Sequence, residues 1–267
     1  MAGFPFCISC FLFLNSLESH VTFLALFRKE LVSYFVSPLF YVVTAVFLCL
    51  SGYYFYTDLI FFVTFGFGMN ILENFWQLLL VDLRLVMLLS MPLLTMRLFA
   101  EEKKLGTIEL LLTYPVRDGE LLLAKFSACA VVCAIMLAGT LLYPIYVHTL
   151  QPFPWLPLIA GYLGLFLLGL SFIACGVFVS SLTESQVVAG MATIGILLLF
   201  WILSWNEAAT SPELLRVLIR VSMFDHFQNF AHGVIDAQDV AYFLFFVGFF
   251  SFLTLRVLES RKWRGRR

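Results

Sequence analysis

A long uncharged run constrains this chain more than any other feature of its sequence. Residues 126–183 contain no Asp, Glu, Lys or Arg, and most of them are apolar. A soluble fold could not bury such a run, whereas a bilayer accepts it, because one membrane-spanning helix needs about 20 apolar residues. Hydrophobic residues make up 62% of the chain and charged residues 12%, about half the charged share of ordinary soluble domains. The sequence therefore predicts an all-α, polytopic membrane protein.

Turn signals divide the apolar segments into spans. The uncharged run breaks at Gln151, Pro152, Pro154 and Pro157, because Pro and polar residues mark turns. We predict six spans, at about residues 38–57, 79–99, 122–147, 157–180, 187–205 and 239–257. Pro92 predicts a kink in the second span.

Two further segments do not fit a span. Residues 59–72 are apolar, but the segment is too short to cross a membrane, and it lies between Asp58 and Glu73. We therefore expect a re-entrant or surface segment on the outer side. Residues 1–20 lack the basic start and small-residue cleavage site of a signal peptide. We interpret them as a poorly defined extension, or as the product of a start codon placed too early. The membrane domain would then cover residues 21–267.

Residues 21–36 have the pattern of an amphipathic helix that lies in the membrane interface. The predicted apolar face holds Leu24, Phe27, Leu31, Tyr34 and Phe35, with Lys29 and Ser33 opposite and Arg28 and Glu30 at the flanks. The alternative is a frayed start of the first span. Ser37-Pro38 favours the separate helix, because Pro is preferred at the first position of a new helix.

Lys and Arg predict the orientation, because cytoplasmic loops are enriched in both residues. With six spans and both termini in the cytoplasm, the outer side keeps only Arg84, Arg216 and Arg220. The inner side would hold Arg28, Lys29, Arg97, Lys103, Lys104, Arg117, Lys125, Arg256, Arg261, Lys262, Arg264, Arg266 and Arg267. The bias would collapse if 59–72 were a span. We therefore expect a multi-pass protein of the inner (plasma) membrane.

The sequence carries no catalytic or cofactor motif. It lacks G-x-x-x-x-G-K-[S/T], so we do not expect this chain to hydrolyse ATP. The predicted span interiors are essentially uncharged, which argues against a proton-coupled carrier, an ion pump and an intramembrane enzyme. Cys7 and Cys10 form a C-x-x-C without a second ligand pair, so a metal or redox role is the weaker interpretation. No basic surface with interleaved aromatic residues predicts nucleic-acid binding.

The segment 97–116 carries the most information about mechanism. Gly106 should end one helix and Thr107 should cap a short second one, with Glu109 in its first turn. The second helix would present Ile108, Leu111 and Leu112 on one face and Glu109 and Thr113 on another, and Pro115 would end it. Such a stiff amphipathic turn between two spans can dock into a soluble partner. The alternative is a plain connecting loop.

The same segment resembles the permeases of ABC-2 type exporters. The resemblance rests on residues 92–102 and 106–113, and within the family the chain is more similar to the GldF-like and NosY-like branch, of gliding-motility and nitrous-oxide-reductase-maturation type. Residues 28–31 with Ser37-Pro38 resemble the N-terminal connecting helix of that family. Residues 180–186, 224–227, 233–236 and 256–263 resemble its later parts, so the likeness covers roughly 21–267.

The resemblance implies a six-span permease that pairs with a second copy or a homologue, above two ATPase subunits that bind ATP and Mg²⁺. This chain would need no cofactor of its own. Residues 101–116 would be the coupling helix, with Glu101, Glu102, Thr107 and Glu109 as polar contacts. Phe224, Asp225, His226 and Phe227 would form an external gate or a site for a periplasmic partner, or would simply cap and pack a short helix. The alternative function is mechanical or assembly work on a periplasmic machine, without transport of a small molecule.

Overall fold

A computed structural model of the chain describes residues 23–65, 75–107, 118–150, 152–205 and 222–264, and these residues form helices and turns without a strand. The predicted extension at residues 1–20 and most of the predicted coupling helix lie outside the described residues. The helices are α1 (residues 23–36), α2 (Pro38–Phe65), α3 (Trp76–Thr95), α4 (Arg97–Lys104), α5 (Asp118–Thr140), α6 (Leu142–Leu150), α7 (Trp155–Leu182), α8 (Gln186–Trp205), α9 (Met223–Ala231) and α10 (Ala237–Arg264).

Five helical stretches in the described residues are long and apolar enough to cross a membrane. They are Pro38–Thr64, Trp76–Lys104, Asp118–Leu150, Trp155–Leu182 and Ala237–Ser260. These stretches confirm the all-α, multi-span architecture. The apolar part of α8, Gln186–Ile202, is shorter than the other five, so the predicted sixth span stays a prediction.

The first span helix is longer than predicted. α2 continues without a break from Pro38 to Phe65, so residues 59–65 are not a separate surface piece and that prediction is wrong for them. Asp58 lies within the helix, and its side chain is buried. The extra turns are packed: the rings of Phe55 and Phe62 lie 5.9 and 6.0 Å from that of Phe75, at the start of the next helix.

α7 is the central helix of the bundle. Within an apolar stretch of 18 residues in α7, 78% of the residues are buried inside the bundle. The corresponding share is 22% in the first span helix and 17% in the last. Glycines allow the close packing: a Cβ at Gly161 would overlap the side chain of Leu80, and one at Gly169 would lie 2.6 Å from Met87 Cε. Small residues bring membrane helices together in this way, since lipid supplies no hydrophobic driving force between helices.

The third predicted span consists of two consecutive helices, α5 and α6. It starts at Asp118, earlier than predicted, with Asp118 and Glu120 in its first turn, where acidic side chains complement the helix dipole. Pro144 cannot donate a hydrogen bond to the carbonyl of Thr140. The hydroxyl of Tyr162 donates to that carbonyl instead, at 3.2 Å.

A separate helix forms at residues 23–36, as predicted, and ends before Ser37-Pro38. Leu24 and Phe35 of its predicted apolar face are 63% and 38% exposed within the protein, and the position in the membrane interface stays a prediction. Tyr34 and Glu30 are buried, although Glu30 was predicted to lie at the flank. Glu30 is buried because it has a charged partner on α5.

Candidate functional site

At one end of the bundle, basic side chains form hydrogen bonds and ion pairs between different helices. We call it the basic end and define it by Arg97, Lys103 and Lys125. α1, the α3–α4 junction, the start of α5 and the end of α7 meet here through side-chain contacts. The opposite end carries Arg84, together with α9 and the start of α10. This separation agrees with the predicted charge bias of the two membrane faces.

α1 is fixed to the α3–α4 junction by Tyr34 and Arg97. The hydroxyl of Tyr34 donates to the carbonyl of Leu94 at 3.2 Å. The guanidinium of Arg97 donates to Ser37 Oγ and lies 5.0 Å from the centre of the Tyr34 ring. Burial raises the pKa of Tyr34 well above its usual value, so the hydroxyl keeps its proton and remains a donor.

Lys125 is shared by two carboxylates from different helices. Its Nζ lies 3.0 Å from Glu30 Oε1 on α1 and 2.7 Å from Glu102 Oε1 on α4. The ammonium also lies 5.4 Å from the centre of the Phe99 ring. The Lys125 side chain is only 1% exposed. A buried ammonium is tolerated when it is paired, since an unpaired one would lose its hydration without compensation.

α4 is also anchored to α7, through two consecutive serines. Ser180 Oγ accepts hydrogen bonds from the amides of Phe99 and Ala100, at 3.0 and 3.1 Å, and donates to the carbonyl of Met96 at 3.1 Å. The Lys103 ammonium donates to the carbonyl of Ser181. These contacts supply an acceptor for the Phe99 amide, which lies in the first turn of α4, where amides have none within the helix.

A cavity of about 450 Å³ lies between α1 and α4 at the basic end. Its lining includes Lys29, Arg97, Glu101, Glu102, Thr107 and Lys125. Gly106, which follows α4, has a φ of +69°, a conformation that glycine adopts without strain. The predicted end of the helix at Gly106 is therefore confirmed. The Thr107 hydroxyl donates back to the carbonyl of Glu102 at 3.2 Å.

The residues predicted for coupling to an ATPase divide into two groups. Glu101, Glu102, Gly106 and Thr107 lie together at the basic end, beside the cavity or at the end of α4. Ile108, Glu109, Leu111, Leu112, Thr113 and Pro115 lie outside the described residues. Of the predicted interfacial residues, Arg28 and Lys29 are exposed and Glu30 is buried.

The predicted external residues lie at the opposite end. Phe224 and Phe227 are buried, with the guanidinium of Arg84 at 5.4 and 5.9 Å from their ring centres. Asp225 is exposed on α9. His226 Nδ1 lies 2.6 Å from Asp239 Oδ1 on α10.

The His226–Asp239 pair belongs to a larger polar cluster that sequence reasoning missed. Asn229 donates to the second oxygen of Asp239 at 2.8 Å, and the ring of Tyr242 stacks on His226 at 4.1 Å. His226 and Asn229 lie three residues apart, so they share a face of α9, and this spacing was the available signal. Within the described parts of the chain, no group of three or more His, Cys, Asp or Glu side chains could hold a metal ion.

Lys125 was also missed as a functional residue, because the sequence places it among other loop charges. A signal existed in α1: Glu30 lies three residues after Phe27 and four before Tyr34, on the apolar face. A carboxylate on an apolar face needs a buried cation as a partner. The sequence does not say which basic residue that partner is.

Comparison with known proteins identifies the family. The chain matches the family model for ABC-2 family transporter proteins over residues 24–247. No curated protein matches the chain. The matched range contains in full four of the five stretches that could cross a membrane and the first part of the fifth, Ala237–Ser260, together with the basic end and its cavity. Proteins of this family are membrane subunits of ABC transporters and work with an ABC ATPase. This chain belongs to the ABC-2 family of transporter proteins.

Proposed function

We propose that this chain is the permease subunit of an ABC exporter, and that it couples ATP hydrolysis in a separate subunit to substrate movement across the inner membrane. Two ATPase subunits would dock beneath a pair of permeases, and both termini would lie in the cytoplasm. ATP and Mg²⁺ would bind to the ATPase subunits. The GldF-like and NosY-like resemblance favours this arrangement, and family membership supports it.

The construction of the basic end carries the proposal. α4 is joined to α1 and α5 through Glu102 and Lys125, and to α7 through Ser180. The chain leaves α4 at Gly106 and enters the predicted coupling helix directly. Because α4 is held by three other helices, a movement of the docked ATPase at the coupling helix can be transmitted to several spans. A plain connecting loop has no need of such anchoring.

The proposed transport path uses alternating access between two permease copies. α2 is mostly exposed along its length, with Val42, Val46 and Tyr53 among its outward side chains. α8 likewise exposes Val188, Met191 and Leu199. We expect α2, α3 and α8 of the two copies to move against each other. The apolar character of these faces favours a hydrophobic or amphipathic cargo.

Two experiments test this function. The first experiment determines which side of the membrane each end of the bundle faces. Thr107 and Asp225 are exposed and lie at opposite ends of the bundle. Each is replaced by cysteine, and a membrane-impermeant maleimide labels only the cysteine on the accessible side. The exposed Cys49 is first replaced by Ser, together with Cys7 and Cys10. We expect labelling of Thr107→Cys in inverted vesicles and of Asp225→Cys in intact cells. Labelling of Thr107→Cys from outside would contradict the docking role.

The second experiment asks for the energy source. The tagged full chain is purified from its native membrane. We expect a nucleotide-binding subunit to co-purify in a 1:1 ratio to the permease, and we expect the purified complex to hydrolyse ATP. Reconstitution into lipid vesicles then separates transport from mechanical work, because only a transporter loads vesicles in an ATP-dependent way. Absence of any nucleotide-binding subunit would refute the proposal.

A further inference from the structure

The buried triad of Glu30, Lys125 and Glu102 joins three separate helices at a single ammonium. The two Nζ–Oε1 distances are 3.0 and 2.7 Å, and the side chains of Glu30, Lys125 and Glu102 are 10%, 1% and 15% exposed. One ion pair would tie two helices together. The shared ammonium ties α5 to both α1 and α4. The following inference rests on the function proposed above.

The energetics of the triad make it a strict positional constraint. A lysine ammonium loses its hydration when buried, and its partners compensate for that loss only while the geometry of the ion pairs is maintained. Here it has two carboxylates and the face of Phe99. If either α1 or α4 moved independently, Lys125 would lose one of its two carboxylates. The three helix segments are therefore expected to move as one body.

The triad lies between the predicted docking segment and two spans. On one side, Thr107 donates to the carbonyl of Glu102, so the entry to the docking segment is attached to the residue that binds Lys125. On the other side, α1 leads directly into α2 at Pro38, and Lys125 is in the second turn of α5. Covalent continuity alone links the docking segment to only the neighbouring helices, whereas the triad, together with the contacts of Tyr34 and Arg97, adds α1 and hence α2.

We propose that Lys125 is a positioning residue that locks α1, α4 and the start of α5 into one rigid unit, which carries movement of the docked ATPase to spans α2 and α5. Lys125 does not contact nucleotide or cargo in this role. It acts by keeping Glu30 and Glu102 at a fixed separation while the ATPase closes and opens.

Distance measurements between spin labels test the lock directly. Labels are attached to cysteines introduced at Val32 on α1 and Lys104 at the end of α4, both exposed, in the background with Cys7, Cys10 and Cys49 replaced. The distance distribution is measured for the permease alone, and for the complex with and without a non-hydrolysable ATP analogue and Mg²⁺. Wild type should give one narrow distribution that nucleotide does not change.

Lys125→Met keeps much of the side-chain volume and removes the charge. We expect its α1–α4 distribution to broaden already in the permease alone and to shift with nucleotide in the complex. ATP turnover of the complex should change by roughly two- to thirty-fold while the KM for ATP stays the same. Lys125→Arg should restore both, since a guanidinium can bridge two carboxylates. Arg256→Met, which breaks an exposed ion pair with Glu259 on α10, is the matched control and should match wild type.

If Lys125→Met does not fold, Glu102→Gln replaces it in the test, because it keeps the shape of the side chain and removes one charge. A folded triad variant with the wild-type distance distribution, in the permease alone and in the complex, would overturn the lock. A complex that never forms with the wild-type chain would refute the proposed function instead. The measurement on the permease alone would then still decide whether the triad fixes α1 to α4.

Discussion

Gly176 in α7 lies directly against Thr95 at the end of α3, so closely that a Cβ atom on the glycine would overlap the threonine hydroxyl and lie 2.7 Å from its Cβ. Thr95 is itself fully buried and its hydroxyl donates to the carbonyl of Met91 at 3.1 Å. The two helix backbones approach each other here two residues before α4 begins. This contact fixes the position of the C-terminal end of α3 along α7, and therefore the position at which α4 begins.

Gly176→Ala should therefore destabilise the folded protein. The added methyl group must displace a buried side chain that has no free space, and overpacking of this kind costs about 1–3 kcal/mol. Thermal unfolding in detergent, followed by intrinsic fluorescence, measures the loss. Gly195→Ala on α8 is the matched control, because nothing lies within 4 Å of its Cβ position. Equal melting temperatures for the two variants would contradict the packing argument.

Asp239→Ala should destabilise the opposite end of the bundle. Asp239 is 3% exposed and accepts hydrogen bonds from His226 and Asn229. The His226 side chain is 11% exposed, whereas Asn229 is exposed, so loss of the acceptor that they share should cost about 1–3 kcal/mol, mainly at His226. Hydrogen exchange across residues 223–231 should rise most, since these residues depend on that acceptor. Glu259→Gln, at an exposed position on the same helix, should leave exchange unchanged.

The fold was largely predictable because its determinants are compositional. Apolar runs predict the span helices. Proline and polar residues predict the breaks near residue 151 and at 183–185, where the structure has them. The prediction for residues 59–65 is wrong because it treats Asp58 and Glu73 as the boundaries of a short segment. Asp58 is buried within the folded bundle, and a linear pattern does not contain that burial.

The candidate site was predictable only in part. Gly106 has a local requirement, a positive φ, and its role as a helix end was visible in the sequence. The partners of Lys125 are 95 and 23 residues away in the chain, so their meeting depends on how three helices pack. Ser180 was included in a family-like turn, but its contacts with the α3–α4 junction were not predictable for the same reason.

Ser180→Ala should loosen the α3–α4 junction. The serine oxygen accepts from the amides of Phe99 and Ala100, and both amides lie in the first turn of α4. Without it, the buried Phe99 amide loses this acceptor, at a cost of about 1–3 kcal/mol. Amide exchange at residues 97–100 should accelerate, with a lower melting temperature. Ser33→Ala, at an exposed position on α1, is the control, and equal exchange in both variants would contradict this role.

Substitutions at Gly106 should separate docking from folding. Gly106→Pro imposes a φ near −65° where the chain has +69°, and it removes the amide that donates to the Lys103 carbonyl at 3.1 Å. Because this residue is exposed after the end of α4, the protein should still insert, while the direction of the following segment changes. We expect ATP hydrolysis in the complex to become uncoupled from transport, and Glu109→Ala, in the predicted coupling helix, to act in the same direction.

Gly106→Ala provides the graded comparison for this prediction. Alanine has space at the position, since nothing lies within 4 Å of a Cβ there, and it must only adopt a left-handed conformation at a cost of about 1 kcal/mol. Coupling should therefore decline in the order wild type, Gly106→Ala, Gly106→Pro, at similar expression in the membrane. The measurement is the ratio of transported substrate or mechanical output to ATP hydrolysed in reconstituted vesicles. Full coupling in Gly106→Pro would mean that the ATPase does not depend on the direction in which the chain leaves α4.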